Sequence, residues 1–280
     1  MTRGKYLGFW CRIVQLPSPC AFDTATNKAS LANFLSLHKL PHPPTIVARS
    51  GTPPYDHLSS LTFPVLAKPP LSTGGNGIIS FDTPDALDAF LNNEPEGQQW
   101  VLQSFVRGHD LNVNVLCEQG QILVSTEQHE IAPARVPFRP AAGIQFCRCP
   151  SAMKVAENLM RRLGWSGVAN IDMRYDAAND ALLILEVNGR YWGSLLGSLR
   201  AGVNFPQLAC AHRLGLRQSM PVPREVRYFG GKRSMFLATV GGGQQRVRLN
   251  ETFLPYFLQD PLPFASRFLH TLCHPIARKA

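Results

Sequence analysis

Residues 182–194 run Leu-Leu-Ile-Leu-Glu-Val-Asn-Gly-Arg-Tyr-Trp-Gly-Ser, and no other stretch constrains the fold as much. Four apolar residues followed by Glu186, Val187 and Asn188 predict a buried strand. Side chains on a strand repeat with a period of two, so Glu186 and Asn188 share one face. The preceding strand-like stretch, 169–175, carries Asp172, and the link Asp176-Ala-Ala-Asn-Asp180 is turn-rich, which makes the pair a hairpin. Centring that hairpin on Asn179 sets Asp172 opposite Glu186 and Asn170 opposite Asn188. Two acids so placed on a buried hairpin repel unless something cationic lies between them. Carboxylates beside an amide oxygen are the donors a hard cation takes.

The chain around this hairpin has 280 residues, 45% of them hydrophobic, enough for one large or two small domains with a real core. No apolar run reaches the length of a membrane span. The N-terminus lacks the apolar stretch and small-residue cleavage site of a signal peptide, so a cytoplasmic location is expected. The seven cysteines are irregularly spaced, and Cys147-x-Cys149 has no second pair to complete a zinc site; they read as reduced thiols. The net charge of +9 is uneven: from His212 onward eleven Lys/Arg stand against three Asp/Glu. That tail reads as a solvated basic face or as attraction to an anionic partner. Without aromatic–basic interleaving or a nucleic-acid motif, nucleic acid is not expected as a partner.

Periodicity predicts a helix over Thr24–Leu37, ended by Pro41, Pro43 and Pro44, then strands at Phe63–Lys68 and Ile78–Phe81. A helix starts at Thr83-Pro84-Asp85, and strands follow at Trp100–Phe105, Leu111–Cys117 and Ile122–Thr126. Residues 127–150 read as a proline-rich loop, with His129 a loop residue. Ser151 is expected to cap a helix that puts Ala156, Leu159, Met160 and Leu163 on one face and ends at Gly164. Leu195–Leu214 reads as helix interrupted by Gly202 and Pro206, with Trp192 packed behind the hairpin. One more helix is expected near Ala265–Leu272. Hairpins and helices together make the class α+β with antiparallel sheets.

Between the two early strands lies Ser72-Thr73-Gly74-Gly75-Asn76-Gly77, preceded by Lys68. Glycines let backbone N–H groups approach phosphate oxygens closely, and a lysine adds a point charge. The loop is neither a Walker A motif nor a dinucleotide fingerprint. Set beside the acidic hairpin, it completes what a Mg-nucleotide needs: cations and amides for phosphates, acids for the metal.

These motifs, in this order over about 27–206, resemble the ATP-grasp superfamily, most of all its carbamoyl-phosphate-synthetase-like and carboxylate–amine ligase branches. The resemblance implies two α/β subdomains whose antiparallel sheets clasp a nucleotide: a lid at about 62–105 and a larger part at about 106–214, within a domain spanning 27–214. It implies that Lys28 and Lys68 contact the nucleotide, that Ser72–Gly77 covers its phosphates, and that Gln103, Ser104, Phe105 and Val106 line the adenine. Asp110 would accept from the ribose. Asp172, Glu186 and Asn188 would hold Mg²⁺ or Mn²⁺. Arg190 would stabilise the transferred phosphate, with Arg135 and Arg139 as further cations for phosphate or substrate carboxylate. The activity implied is ATP-dependent joining of a small-molecule carboxylate to an amine through an acyl phosphate.

Two departures stand out. Gln103 replaces the family's usual acid, and Gly189 replaces the proline of Asn-Pro-Arg. Residues 1–26 read as a remnant of the subdomain that normally comes first, so a homodimer or partner chain is expected to complete that side, and 215–280 reads as a basic appendage. The competing reading is a catalytically inactive nucleotide-binding module.

Overall fold

The computed structural model describes residues 15–51, 56–133, 138, 141–230 and 247–262. It opens with α1 (Pro19–Thr26) and α2 (Lys28–Leu37). One helix was expected over Thr24–Leu37; Asn27 divides it. Its backbone is extended (φ −94°, ψ 116°), and its side-chain oxygen accepts from the N–H groups of Ala29 and Ser30. Asparagine competes with the helix for these donors and so serves better as a cap than as an interior residue. The break makes Lys28 the first residue of α2.

A four-stranded antiparallel sheet follows, built from β1 (Thr45–Arg49), β2 (Val65–Lys68), β3 (Ile79–Phe81) and β4 (Gln99–Ser104) in the order β1-β4-β2-β3. β1 comes from a stretch whose prolines mask its strand character in the sequence. Helix α3 (Pro84–Asn93) covers the sheet, burying Leu87 and Leu91 against Val65, Ala67 and Leu102. Truncating one such buried leucine typically costs about 2–5 kcal/mol.

The larger sheet has six strands in the order β10-β7-β6-β5-β8-β9. They are β5 (Gly108–Glu118), β6 (Gln121–Ala132), β7 (Gly143–Phe146), β8 (Gly167–Asp176), β9 (Ala181–Asn188) and β10 (Val226–Phe229). The loop expected over 127–150 is corrected here. β6 runs on through His129 to Ala132, and β7 pairs with it, Gln128 opposite Phe146. Alternation continues through Glu127, Gln128, His129 and Glu130, but the inward residues are polar, so the hydrophobic signal disappears while the strand persists. β10, inside the segment read as an appendage, pairs with β7. Beyond it, Glu251 is buried and accepts from Arg227 Nη2 at 2.8 and 3.0 Å, so part of the basic tail is paired internally.

One face of the large sheet packs on α1, α2 and α4 (Pro150–Leu163), joining Ala25, Leu31 and Leu35 to Val113, Ile171, Leu159 and Met160. α4 begins at Pro150 after Cys149 rather than being capped by Ser151, and Gly164 ends it in the left-handed conformation (φ 57°). The expected helix over Leu195–Leu214 is two: α5 (Leu195–Arg200) and α6 (Phe205–Arg213). The helix expected near Ala265–Leu272 lies outside the described residues. Among the described residues no helix is long and apolar enough to cross a membrane.

The β8–β9 hairpin has the expected pairs, Asp172 opposite Glu186 and Asn170 opposite Asn188, but reaches them through an irregularity. Near the turn Met173 pairs with Ile184; the register shifts between Asp172 and Met173, leaving Leu185 extra on β9. Ile184 and Val187, three apart, therefore both belong to the core, while Leu185 lines the opposite cleft with Lys28 and Lys68. A bulge re-aims the strand after it. It is what turns Glu186 and Asn188 out of the core.

Candidate active site

The opposite face of the large sheet is polar along three neighbouring strands. Asp110, Asn112 and Asn114 of β5 stand opposite Arg174, Asp172 and Asn170 of β8. Asp172 is held on both sides: Asn112 Nδ2 donates to Oδ1, and Asn188 Nδ2 donates to Oδ2 at 3.1 Å. Burial, and next the charge of Glu186, push the Asp172 carboxyl up to about 7 from 3.8. The two amides oppose that shift without cancelling it.

Cations face these acids from the other sheet and from α2. Lys28 is buried; its Nζ lies 2.7 Å from the carbonyl of Ser72 and 3.4 Å from Glu186 Oε1, and its backbone N–H donates to Pro70. One lysine thus ties the glycine-rich loop to the acidic hairpin. Lys68, also buried, donates to Gln103 Oε1 at 2.6 Å, and Gln103 in turn donates to Thr45 Oγ1 at 2.9 Å. Burial lowers Lys68 from 10.5 to about 8, a shift only partly offset by Glu186. In the loop, Gly74, Gly75 and Gly77 all have positive φ (62°, 74° and 73°), and a Cβ on Gly75 would lie 2.2 Å from the Phe138 carbonyl. Glycine is required here for both conformation and close approach.

Known proteins share this arrangement of the backbone. A profile of ATP-grasp proteins, described as ATP-grasp in the biosynthetic pathway with Ter operon, matches residues 96–229. D-alanine–D-alanine ligase from Bacillus anthracis, solved with ATP, superposes with a TM-score of 0.57 at 15% identity, covering 76% of this chain and 75% of that one. The chain has the ATP-grasp fold. Among curated proteins, the arginine-specific carbamoyl phosphate synthase large chain of Bacillus subtilis is 27% identical over 139 residues, 47% of this chain and 13% of that protein. D-aspartate ligase of Enterococcus faecium is 23% identical over 215 residues, 69% of this chain. The chain spans 51% of that ligase's length.

Within this cleft, the structure brings together Lys28, Lys68, Gln103, Asp172, Glu186 and Asn188. Ser104 is buried, and its hydroxyl accepts from Thr62 N–H at 2.9 Å. Phe105 donates its N–H to Pro64, and the Val106 carbonyl accepts from Arg174 Nε at 3.0 Å. Asp110 is paired with Arg174 Nη1 at 2.5 Å, and the same guanidinium lies 5.5 Å over the Phe105 ring. Arg190 is exposed and donates to Asn188 Oδ1 at 3.3 Å. Gly189 has a packing reason: a Cβ there would fall 2.9 Å from the buried Trp165 ring and 3.0 Å from Phe22. Arg135 and Arg139 lie outside the described residues.

Sequence reasoning missed Asn112, Asn114, Arg174 and Gln128. The signal was present in the alternation of Asp110, Asn112 and Asn114 with Leu111, Val113 and Val115. His129, read as a loop residue, sits in β6 with Nδ1 3.1 Å from the Cys147 sulfur. Trp192 is buried, as expected, and donates to Ser198 Oγ at 3.2 Å.

The neutral partner of Lys68 carries a prediction. Its ammonium is lost as pH rises through about 8, so nucleotide affinity should fall above that pH. Gln103→Glu supplies the missing charge and should move that alkaline limb up by about one pH unit. Nucleotide titrations between pH 7 and 9.5 read the shift; an unmoved limb would show that another group titrates.

Proposed function

We propose that this protein of ATP-grasp fold is a Mg²⁺·ATP-dependent ligase that joins a small-molecule carboxylate to an amine. The observation that carries this reading is the facing of Asp172 and Glu186, on one sheet, by the buried Lys28 and Lys68. The names of its relatives, D-aspartate ligase and carbamoyl phosphate synthase, supply the reaction class. The donor set fits Mg²⁺: two carboxylates and one amide oxygen, with an acid pair that lacks full neutralisation.

Mg²⁺, when bound by Asp172, Glu186 and Asn188, neutralises phosphate oxygens. Lys68 and Lys28 place positive charge beside the same phosphates, and the backbone N–H groups of Ser72–Gly77 close over them. Arg190 extends from the end of β9, where it meets negative charge on the phosphoryl group in flight. Catalysis is then positioning and charge stabilisation. A carboxylate oxygen attacks the terminal phosphorus, and the bond to ADP breaks. The amine attacks the acyl carbon, the C–O bond to phosphate breaks, and the amine proton passes to water.

Purified protein with Mg²⁺ and ATP is expected to release ADP only when a carboxylate and an amine are both supplied. Panels of amino acids as both partners form the first screen. Mg²⁺-dependent nucleotide binding with no turnover across such panels would favour the non-catalytic reading instead.

A further inference from the structure

We infer that a buried chain of side-chain amides, Asn188–Asn170–Asn114–Gln128, sets which atom Asn188 presents to the cation; Asn114 and Asn170 are thus positioning residues of the site. The inference rests on the metal site proposed above.

Every hydrogen bond in this chain runs the same way. Arg190 Nη2 donates to Asn188 Oδ1 at 3.3 Å. Asn188 Nδ2 donates to Asn170 Oδ1 at 3.3 Å, and Asn170 Nδ2 donates to Asn114 Oδ1 at 2.9 Å. Asn114 Nδ2 then donates to Gln128 Oε1 at 3.3 Å and to Thr126 Oγ1 at 3.1 Å. The chain crosses β9, β8, β5 and β6, and Asn114, Thr126, Gln128 and Asn170 are all buried.

An amide oxygen and nitrogen have almost the same shape, so direction must come from partners. Two partners of Asn188 have no choice. Arg190 has only donors, and an ionised Asp172 has only acceptors. Both turn Oδ1 toward Arg190 and Nδ2 toward the sheet. A cation at Asp172, however, takes over the oxygens that hold Nδ2. Asn170 Oδ1 is then the acceptor that remains, and its own orientation depends on Asn114. A reversed Asn188 would aim its NH₂ at the cation. Buried chains of this kind polarise one another, so a break at one link weakens the next.

The test compares wild type with Asn114→Leu and Asn114→Asp, titrating Mg²⁺ into protein saturated with a non-hydrolysable ATP analogue and, separately, the analogue into protein in EDTA. Leucine keeps the volume but offers Asn170 no acceptor, and should weaken Mg²⁺ ten- to a hundredfold. Aspartate keeps the acceptor and should restore Mg²⁺ affinity to within about threefold of wild type. Metal-free analogue affinity should match wild type in both. Equal Mg²⁺ affinity in all three proteins would overturn the inference while leaving the proposed function standing, as would equal losses in both variants. If the leucine variant does not fold, Asn170→Ser, which is too short to reach Asn188, should show the same loss, and undiminished Mg²⁺ affinity there would overturn the inference. A wild type whose analogue affinity ignores Mg²⁺ would overturn the proposed function and this inference together.

Discussion

Glu186→Gln is expected to lower acceptor-dependent ADP release about a thousandfold. The substitution keeps the shape of the side chain and removes its charge. Glu186 is the acid opposite Asp172 and, at 3.4 Å, the partner of Lys28. Loss of one of the two carboxylates proposed to hold Mg²⁺ would forfeit on the order of 4 kcal/mol of transition-state stabilisation. Steady-state turnover and Mg²⁺ titration should fail together, with the fold retained by circular dichroism. Turnover within about tenfold of wild type would remove Glu186 from the chemistry and return the assignment to the remaining acids.

The metal-free protein should lose stability as pH rises from about 4 to about 7. Asp172 titrates at about 7 in the folded protein against 3.8 for an ordinary aspartate. Across that window the folded state holds a proton the unfolded state has released, so raising pH favours unfolding. The shift corresponds to at most about 4 kcal/mol, or on the order of 10 °C in Tm. Glu130, raised by burial, acts with the same sign, while His129, lowered by burial, acts with the opposite one. Asp172→Asn isolates the contribution, because it removes the titrating group and leaves the others. Thermal unfolding in EDTA between pH 4.5 and 8 should show a steeper decline for wild type than for the variant, and Mg²⁺ with nucleotide should recover wild type at pH 8. Parallel curves would place the titration elsewhere.

The sequence was most legible where side chains alternate between strongly apolar and charged, as in the hairpin, whose facing pairs of Asp172 with Glu186 and Asn170 with Asn188 the structure contains. It was least legible where both faces of a strand are polar or small. Residues 127–132 carry His129 and Glu130 in a strand that hydrophobicity alone marks as a loop. Asn27 looked like an ordinary helical residue, because its capping role depends on a backbone turn that periodicity does not encode. The supporting amides, Asn112 and Asn114, were visible only as the polar half of a clean alternation. Their meaning came from strand order, which puts β5 beside β8 and so sets Asn112 against Asp172. No local pattern specifies that neighbour.

The surplus residue at Leu185 has a consequence for how this hairpin tolerates change in length. The turn at 177–180 is exposed at Ala177–Asp180, and residues gained or lost there alter only the loop. A loss at Leu185 would act quite differently. With the surplus gone, Ile184 and Glu186 would pair as consecutive residues with Met173 and Asp172, so Val187 would stay in the core, Glu186 and Asn188 would stay on the cleft face, and only the bend of the strand would go. The sheet could still form. The strand is thus a ruler with one extra mark: as long as Leu185 is present it must stay out of step, because a regular place for it in the ladder would turn Glu186 and Asn188 into the aliphatic interior and Val187 toward the lysines.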